Sequence, residues 1–378
     1  MDISFKFIFY ITCVLIFGSK TCLSKLFGWK YDDHMIYQEN WNGTCKNGRR
    51  QSPINIRTEY TKKIRMAGNS LIFNRYDKQV GASLENNGHT IKLTFTDGTD
   101  DEIWIKDGGL SLTKFQFAQA HFHWGNNDNQ GSEHEIDGVS FPMEMHIVHW
   151  NLDVGETLKE AVDKDTGISL EVLGVHFKIG KTNEKFKYFF DAVKRTTKHN
   201  ETAEIRNGIR LYDLLPENKD AFYRYKGSLT TPGCNEIVMW TVFKEKIEID
   251  KSQMEIIRQV KYTHDGSENL LSNNFRNVKL QYDREILDVD VHEEATGIII
   301  VILVIRMYLC VYSAFHYFLC TYIISIPGKD KTNGALIGVI VACLMSVFLV
   351  VAYCAAYYRS KNKFNNRNKP RADFMSPS

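Results

Sequence analysis

The sequence predicts one mainly β domain with short peripheral helices, followed by a C-terminal transmembrane helix. Apolar and polar residues alternate at period two in short runs bounded by turn residues, the pattern of half-buried strands. Helical patterns are few and short, Phe186–Thr196 and Ser252–Val260 being the clearest. Gly334–Tyr358 contains no charged residue over a length that spans a hydrocarbon core. The chain has 378 residues, 43% hydrophobic and 24% charged, which excludes a disordered chain and a disulfide-dense miniprotein.

Residues 1–24 read as a secretory signal. Lys6 supplies the basic start, Phe7 to Phe17 an apolar run too short to cross a bilayer, and Gly18, Ser19 and Ser24 the small residues that follow. Residues 26–290 then read as a single extracellular domain, with no repeat, Pro-rich linker or low-complexity tract to divide it. Ile91, Leu93 and Phe95 alternate with polar residues before the turn signal Thr96-Asp97-Gly98. Ile103, Ile105 and Leu110 flank a second turn at Asp107-Gly108-Gly109, and Leu170–Lys178 reads as a strand buried on both faces. Such a pattern suggests a large sheet with small helices around it.

Asn42-Gly43-Thr44 and Asn200-Glu201-Thr202 are glycosylation sequons, so Asn42 and Asn200 are expected to carry glycans in a secreted domain. Cys45 and Cys234 are the two cysteines of this domain. An oxidising compartment favours a disulfide between them over two buried thiols. The bridge would close about 190 residues, for which chain entropy assigns roughly 5 kcal/mol.

Beyond the domain, residues 297–326 form an apolar stretch interrupted by Arg306 and His316. An arginine at mid-bilayer costs about 2.5–3.5 kcal/mol, so the expected span is 334–358, and 297–326 stays open as a membrane-associated segment or a sequence artefact. The tail, 359–378, carries Arg359, Lys361, Lys363, Arg367, Lys369 and Arg371 against Asp373, which places it in the cytoplasm. Net charge is +2, so the rest of the chain is slightly acidic and a nucleic-acid partner has no support. The expectation is a single-pass type I protein of the plasma membrane. A lipid anchor ranks second, because hydrophilic residues follow the apolar stretch.

On a strand, residues i and i+2 share a face, so Gln119, His121 and His123 point one way. Glu144, His146 and Val148 repeat the arrangement, with His149 on the opposite face. On neighbouring strands, His121, His123 and His146 would converge. Three histidine ligands leave a fourth tetrahedral position open, as a catalytic zinc needs. Gln119 and Glu144 stand where they could accept the second ring N–H of a ligating histidine.

These runs resemble the α-class carbonic anhydrase signature. Gln119–Gly125, Gly131-Ser132-Glu133-His134 and Glu144–Trp150 carry it, and Trp29–Tyr31, Arg50–Ile56, Asn86–His89, Gly227–Pro232 and Asn274-Phe275-Arg276 match further blocks in the same order. The resemblance runs from about Trp29 to Tyr282 and points to the extracellular, membrane-anchored branch, whose members carry a disulfide at Cys45 and Cys234. It implies the family's large, twisted, predominantly antiparallel sheet. It also implies one Zn2+ per chain on His121, His123 and His146, and reversible hydration of carbon dioxide to bicarbonate by hydroxide generated at the zinc. Esterase side activity would accompany it. Thr230 would donate to Glu133 and orient the nucleophile. Val148, Val172, Leu229, Val238 and Trp240 would wall the substrate pocket. His89 would shuttle protons, with Tyr31, Asn87 and Thr231 ordering the intervening water. The protein partners considered are a second copy of the chain and a bicarbonate or acid transporter.

Three departures from the family pattern stand out: Lys92 at the cavity mouth, Lys30 in place of a usual Gly, and Gly233 where a second Pro is common. The remaining histidines (His34, His134, His149, His176, His199, His264, His292 and His316) read as structural or surface residues. Two rivals stand beside the hydratase reading. One is a catalytically dead adhesion or receptor module, which all three histidines oppose; the other is a zinc hydrolase of acyl substrates.

Overall fold

Strand Met143–Asn151 is buried at all nine positions, and the molecule is organised around it. The computed structural model describes residues 41–291, apart from 67–70, 97, 99–102, 108–112, 166 and 265–266, together with Arg306 and Ser313. The chain divides into two units, Met1–Gly297 and Ile298–Ser378. The signal 1–24, Tyr31, Lys30, the span 334–358 and the tail 359–378 lie outside the described residues, as does nearly all of 297–326. Among the described residues no helix is long and apolar enough to cross a membrane.

The strands in chain order are β1 (Asn55–Ile56), β2 (Lys62–Met66), β3 (Leu71–Asn74), β4 (Ala82–Asn86), β5 (Ile91–Phe95), β6 (Trp104–Asp107), β7 (Lys114–Trp124), β8 (Glu135–Ile136), β9 (Met143–Asn151), β10 (Leu170–Ile179), β11 (Thr202–Glu204), β12 (Ala221–Gly227), β13 (Val238–Phe243), β14 (Ile247–Ile249), β15 (Lys261–His264), β16 (Ser267–Leu270) and β17 (Leu287–Val291). Thirteen of them form one sheet, ordered β11-β4-β5-β7-β9-β10-β13-β12-β17-β2, with β14 on β10 and the β3–β6 pair beside β7. The sheet is mixed: β10 runs parallel to β13 and β14, and β17 parallel to β2, while its other pairings are antiparallel. The expected strands at Ile91–Phe95 and Leu170–Lys178 are β5 and β10.

Because side chains alternate, β7, β9 and β10 feed two cores. One face sends Ala120, Phe122, Trp124, Met143, Met145, Ile147, Leu173, Val175 and Phe177 into the larger core. There the helices Lys187–Val193 and Lys251–Arg258 pack, supplying Phe189, Phe190, Met254 and Ile257. The second helix opens on a capping box, Asp250 accepting from the Gln253 N–H while the Gln253 side chain accepts from the Asp250 N–H. The other face sends Val148, Trp150, Leu170, Val172, Val238, Trp240 and Tyr225 into a smaller core. Helix Leu158–Lys164, which the sequence pattern did not signal, packs Leu158, Ala161 and Val162 against that core, its first turn capped by the Thr157 side chain accepting from the Glu160 N–H.

The smaller core is where the chain is tied together. Cys45 and Cys234 are joined, 189 residues apart in sequence. Gln51 Nε2 donates to the Cys234 carbonyl, Arg276 donates to the carbonyls of Cys45 and Ser52, and the Ser52 and Ser228 hydroxyls each accept the other's backbone N–H. Trp240 Nε1 donates to the Ser228 carbonyl at 3.1 Å. The Leu229–Thr231 turn is thereby held over the sheet. Gly233, just beyond this turn, sits at φ +106, a conformation that proline cannot adopt.

Candidate metal centre

The β7–β9 register sets His121 opposite His146 and His123 opposite Glu144. A bulge between Phe117 and Gln119 resets the pairing so that Gln119 lies opposite Val148. Downstream of the bulge all three residues of Gln119, His121 and His123 share the face of Glu144, His146 and Val148. The sequence-predicted convergence is therefore produced by one antiparallel pair of strands. His149, on the opposite face, contacts Tyr76 and Phe117, as its parity requires.

Ring centroids of the three histidines lie 4.5 to 5.2 Å apart. One nitrogen from each lies within 4.8 Å of the others. The opposite nitrogen of each is committed to an acceptor. His121 Nδ1 is 3.0 Å from Gln119 Oε1, His123 Nδ1 is 2.7 Å from the Asn274 carbonyl, and His146 Nε2 is 2.8 Å from Glu144 Oε1. A carbonyl or carboxylate can only accept, so each of these nitrogens carries the ring proton and the inward nitrogen carries a lone pair. His123 Nε2 and His146 Nδ1 then face each other, lone pair to lone pair, at 3.1 Å. Two bare acceptors at that distance repel. Two ligands about 2.0–2.1 Å from a zinc at the tetrahedral angle stand about 3.3 Å apart, so the spacing fits a shared cation. Burial, followed by the neighbouring rings of His123 and His146, holds the His121 imidazole well below its ordinary pKa, and burial lowers His146 too. Neutral imidazole is the ligating form.

Glu144 is fully buried and anchors the centre. Its Oε2 accepts the backbone N–H of Glu133 at 2.9 Å and of His134 at 2.8 Å. Its Oε1 faces His134 Nδ1 at 2.7 Å as well as His146. Burial opposes its charge, but His134, His176 and His146 hold its carboxyl well below the usual carboxylate range. The chain continues through His134 Nε2 to the Tyr225 hydroxyl at 2.6 Å and on to Ser52 Oγ. Gly174 gives this carboxylate its room, since a Cβ there would sit 3.2 Å from Glu144 Oε1.

The three rings form one end of a cavity of about 270 Å³. Its lining combines apolar residues, Val148, Leu158, Val162, Leu170, Val172, Leu229 and Trp240, with polar ones, Asn87, His89, Thr90, Lys92, Gln119, Thr230 and Thr231. Of the expected wall, Val238 is 1% exposed and packs in the smaller core with Trp240, Val148 and Val172. Lys92, opposite His121 in the β5–β7 register, reaches the mouth and pairs with Glu85 at 2.6 Å. Thr230 is buried beside the centre. Glu133 accepts the Arg276 N–H on Oε1, while its Oε2 is buried with no hydrogen-bond partner among the described residues. Burial, and then His199, lower the pKa of His89. Asn42 and Asn200 are exposed.

An open three-imidazole centre backed by an apolar wall suits catalysis rather than structural metal binding. The chain belongs to the eukaryotic-type carbonic anhydrase family, whose model matches residues 36–289. It is 36% identical over 246 residues to carbonic anhydrase 4 of Rattus norvegicus, covering 64% of this chain and 76% of that one. It is 34% identical over 257 residues to carbonic anhydrase 4 of Mus musculus, covering 65% and 79%. With mitochondrial carbonic anhydrase 5B of Homo sapiens it shares 34% over 240 residues, covering 63% and 73%. Membership makes the chain an α-class carbonic anhydrase, of a family that depends on zinc for carbon dioxide hydration, and the three histidines form a group able to hold a metal ion.

Proposed function

We propose that the domain 26–290 interconverts carbon dioxide and bicarbonate at the outer face of the plasma membrane, with His121, His123 and His146 holding one zinc. The observation that carries the reading is the pair of inward lone pairs at 3.1 Å, each fixed by a partner on the far side of its ring. Zinc bound there supplies a Lewis acid that ionises water near neutral pH. The remaining work is done by the chain. The Thr230 hydroxyl would donate to the open Glu133 Oε2, which would leave its own lone pair to accept from the attacking oxygen and select one orientation of it. Val148, Val172, Leu229 and Trp240 give carbon dioxide a dry wall, with Val238 packed behind them. His89 takes the released proton across water ordered by Asn87, Thr231 and Tyr31 and delivers it to buffer, a task for a group titrating near neutrality. Small esters entering the same pocket would be attacked in the same way, giving the esterase side activity.

The family alone does not fix the setting, because a relative named as mitochondrial is also similar to this chain. The signal 1–24, the span 334–358 and the basic tail orient the domain outward, with glycans on Asn42 and Asn200 and a single-pass anchor. The test is hydration by intact cells expressing the full-length chain. The reading expects full activity before lysis and no release by phosphatidylinositol-specific phospholipase. Activity that stays latent until lysis would overturn the topology, and release by the phospholipase would replace the span with a lipid anchor.

A further inference from the structure

Sequence alone leaves His199 as an ordinary surface histidine. The structure brings it to the outer end of the proposed proton path. The loop that carries it is stitched to the strand end that carries His89: the Asn200 N–H donates to the Asn86 carbonyl at 2.8 Å, and the Asn86 N–H donates to the Glu201 carbonyl at 3.0 Å. Asn86 Nδ2 adds bonds to the carbonyls of Thr197 and Lys261, at 3.2 and 2.8 Å. Asn86 is itself fully buried, so this junction is rigid. Two residues on, the Nε2 end of the His199 ring packs against Gly88. A Cβ on Gly88 would meet His199 Nε2 at 2.7 Å and two ring carbons at 3.0 Å, and the same glycine holds φ +82. His89 follows directly, its N–H fixed by Asn87 Oδ1 at 3.0 Å, and it lines the cavity, whereas His199 stands outside it and half-buried.

We infer that His199 is the second station of the proton exit, taking the proton from the His89 imidazolium through intervening solvent and passing it to buffer. The inference rests on the shuttle role proposed for His89. No bond other than N–H and O–H changes: His89 returns to neutral imidazole as His199 becomes imidazolium, and buffer base then removes that proton. A proton on either ring disfavours one on the other, so the two stations do not hold protons together and the proton is handed on rather than accumulated. The charged groups on the surrounding elements are paired or bonded locally. Lys92 meets Glu85 at 2.6 Å, Lys261 meets Glu268 at 3.1 Å, and Glu201 accepts the Lys198 N–H at 2.8 Å.

The experiment compares zinc-loaded full-length wild type with His199→Ala, His199→Gln, His89→Ala and the double variant His89→Ala/His199→Ala. Oxygen-18 exchange separates carbon dioxide–bicarbonate interconversion from the proton-dependent release of labelled water. Both His199 variants should leave interconversion unchanged and slow water release in dilute buffer by about two- to fivefold, since His89 keeps a direct route to solvent. Imidazole should restore the rate, and the pH profile of water release should move to higher pH. The double variant should be no slower than His89→Ala, because the stations act in series. Wild-type water release in both His199 variants would overturn the relay. So would a loss shared equally by interconversion, which marks a structural role, or multiplicative losses in the double variant, which mark separate routes. If His89→Ala itself shows no buffer dependence, the shuttle reading has failed, and the relay falls with it.

Discussion

Replacing Glu144 by Gln tests how far the metal centre is set from outside its ligands. The side chain keeps its size, and its amide oxygen must take the Oε2 position, because two fixed backbone donors, the N–H groups of Glu133 and His134, point there at 2.9 and 2.8 Å. The amide NH2 then replaces Oε1 and confronts His134 Nδ1 and His146 Nε2, both donors in the parent at 2.7 and 2.8 Å. Each ring must move its proton to its other nitrogen. For His134 that proton meets the Tyr225 hydroxyl; for His146 it meets the lone pair of His123 Nε2 at 3.1 Å. The metal-free variant is therefore well bonded and should lose no more than about 1 kcal/mol. Zinc must expel the new Nδ1 proton and restore a buried donor–donor clash costing about 1–3 kcal/mol, so affinity should fall about 10- to 100-fold. Chelator competition measures the dissociation constant, and denaturant unfolding of metal-free protein measures the stability. Zinc binding as tight as in wild type would refute the tautomer argument. Collapse of the metal-free variant would show that Glu144 serves folding first.

His123→Ala should abolish zinc retention and hydration together, because it removes one of two facing ligands and opens a gap in a site 1% exposed; retained activity would refute the ligand set. His89→Ala should slow turnover in dilute buffer and recover with imidazole, and the inflection of wild-type turnover should lie below pH 6.5, since burial and His199 weaken this base. Burial lowers His149 from 6.5 to about 3, so the unfolded chain takes up its proton first. Its contribution is constant above pH 6.5 and is lost as pH falls, by about 2 kcal/mol at pH 5. Denaturant unfolding of metal-free protein at pH 7 and pH 5 should show this loss in wild type and a smaller one in His149→Gln; equal losses would remove His149 from the acid response.

The ligand histidines were legible because period-two parity survives in β7 and β9, whatever the strand order. Their convergence was legible only on the condition that the two strands pair, and the register that meets it depends on a bulge between Phe117 and Gln119 that no local signal marks. Asn274 is the clearest omission: its carbonyl fixes His123 across 151 residues, and a backbone acceptor leaves no trace in residue type. Its place in an Asn-Phe-Arg block of the family pattern was the one available hint. Leu158 and Val162 were missed because seven residues are too few for a helical period to declare itself, although their i, i+4 spacing was there. Val238 shares the face of Trp240 on β13, as parity requires, but parity does not tell how deeply each side chain is buried. Gly233 and Gly174 read as departures or blanks in the sequence. In the fold one meets a positive φ and the other makes room for a carboxylate.

X-ray absorption at the zinc edge of the metal-loaded full-length chain tests the central claim most directly. Three imidazole nitrogens at about 2.0–2.1 Å and one further oxygen donor are expected, at one zinc per chain. A sulfur shell, or fewer than three imidazoles, would contradict it.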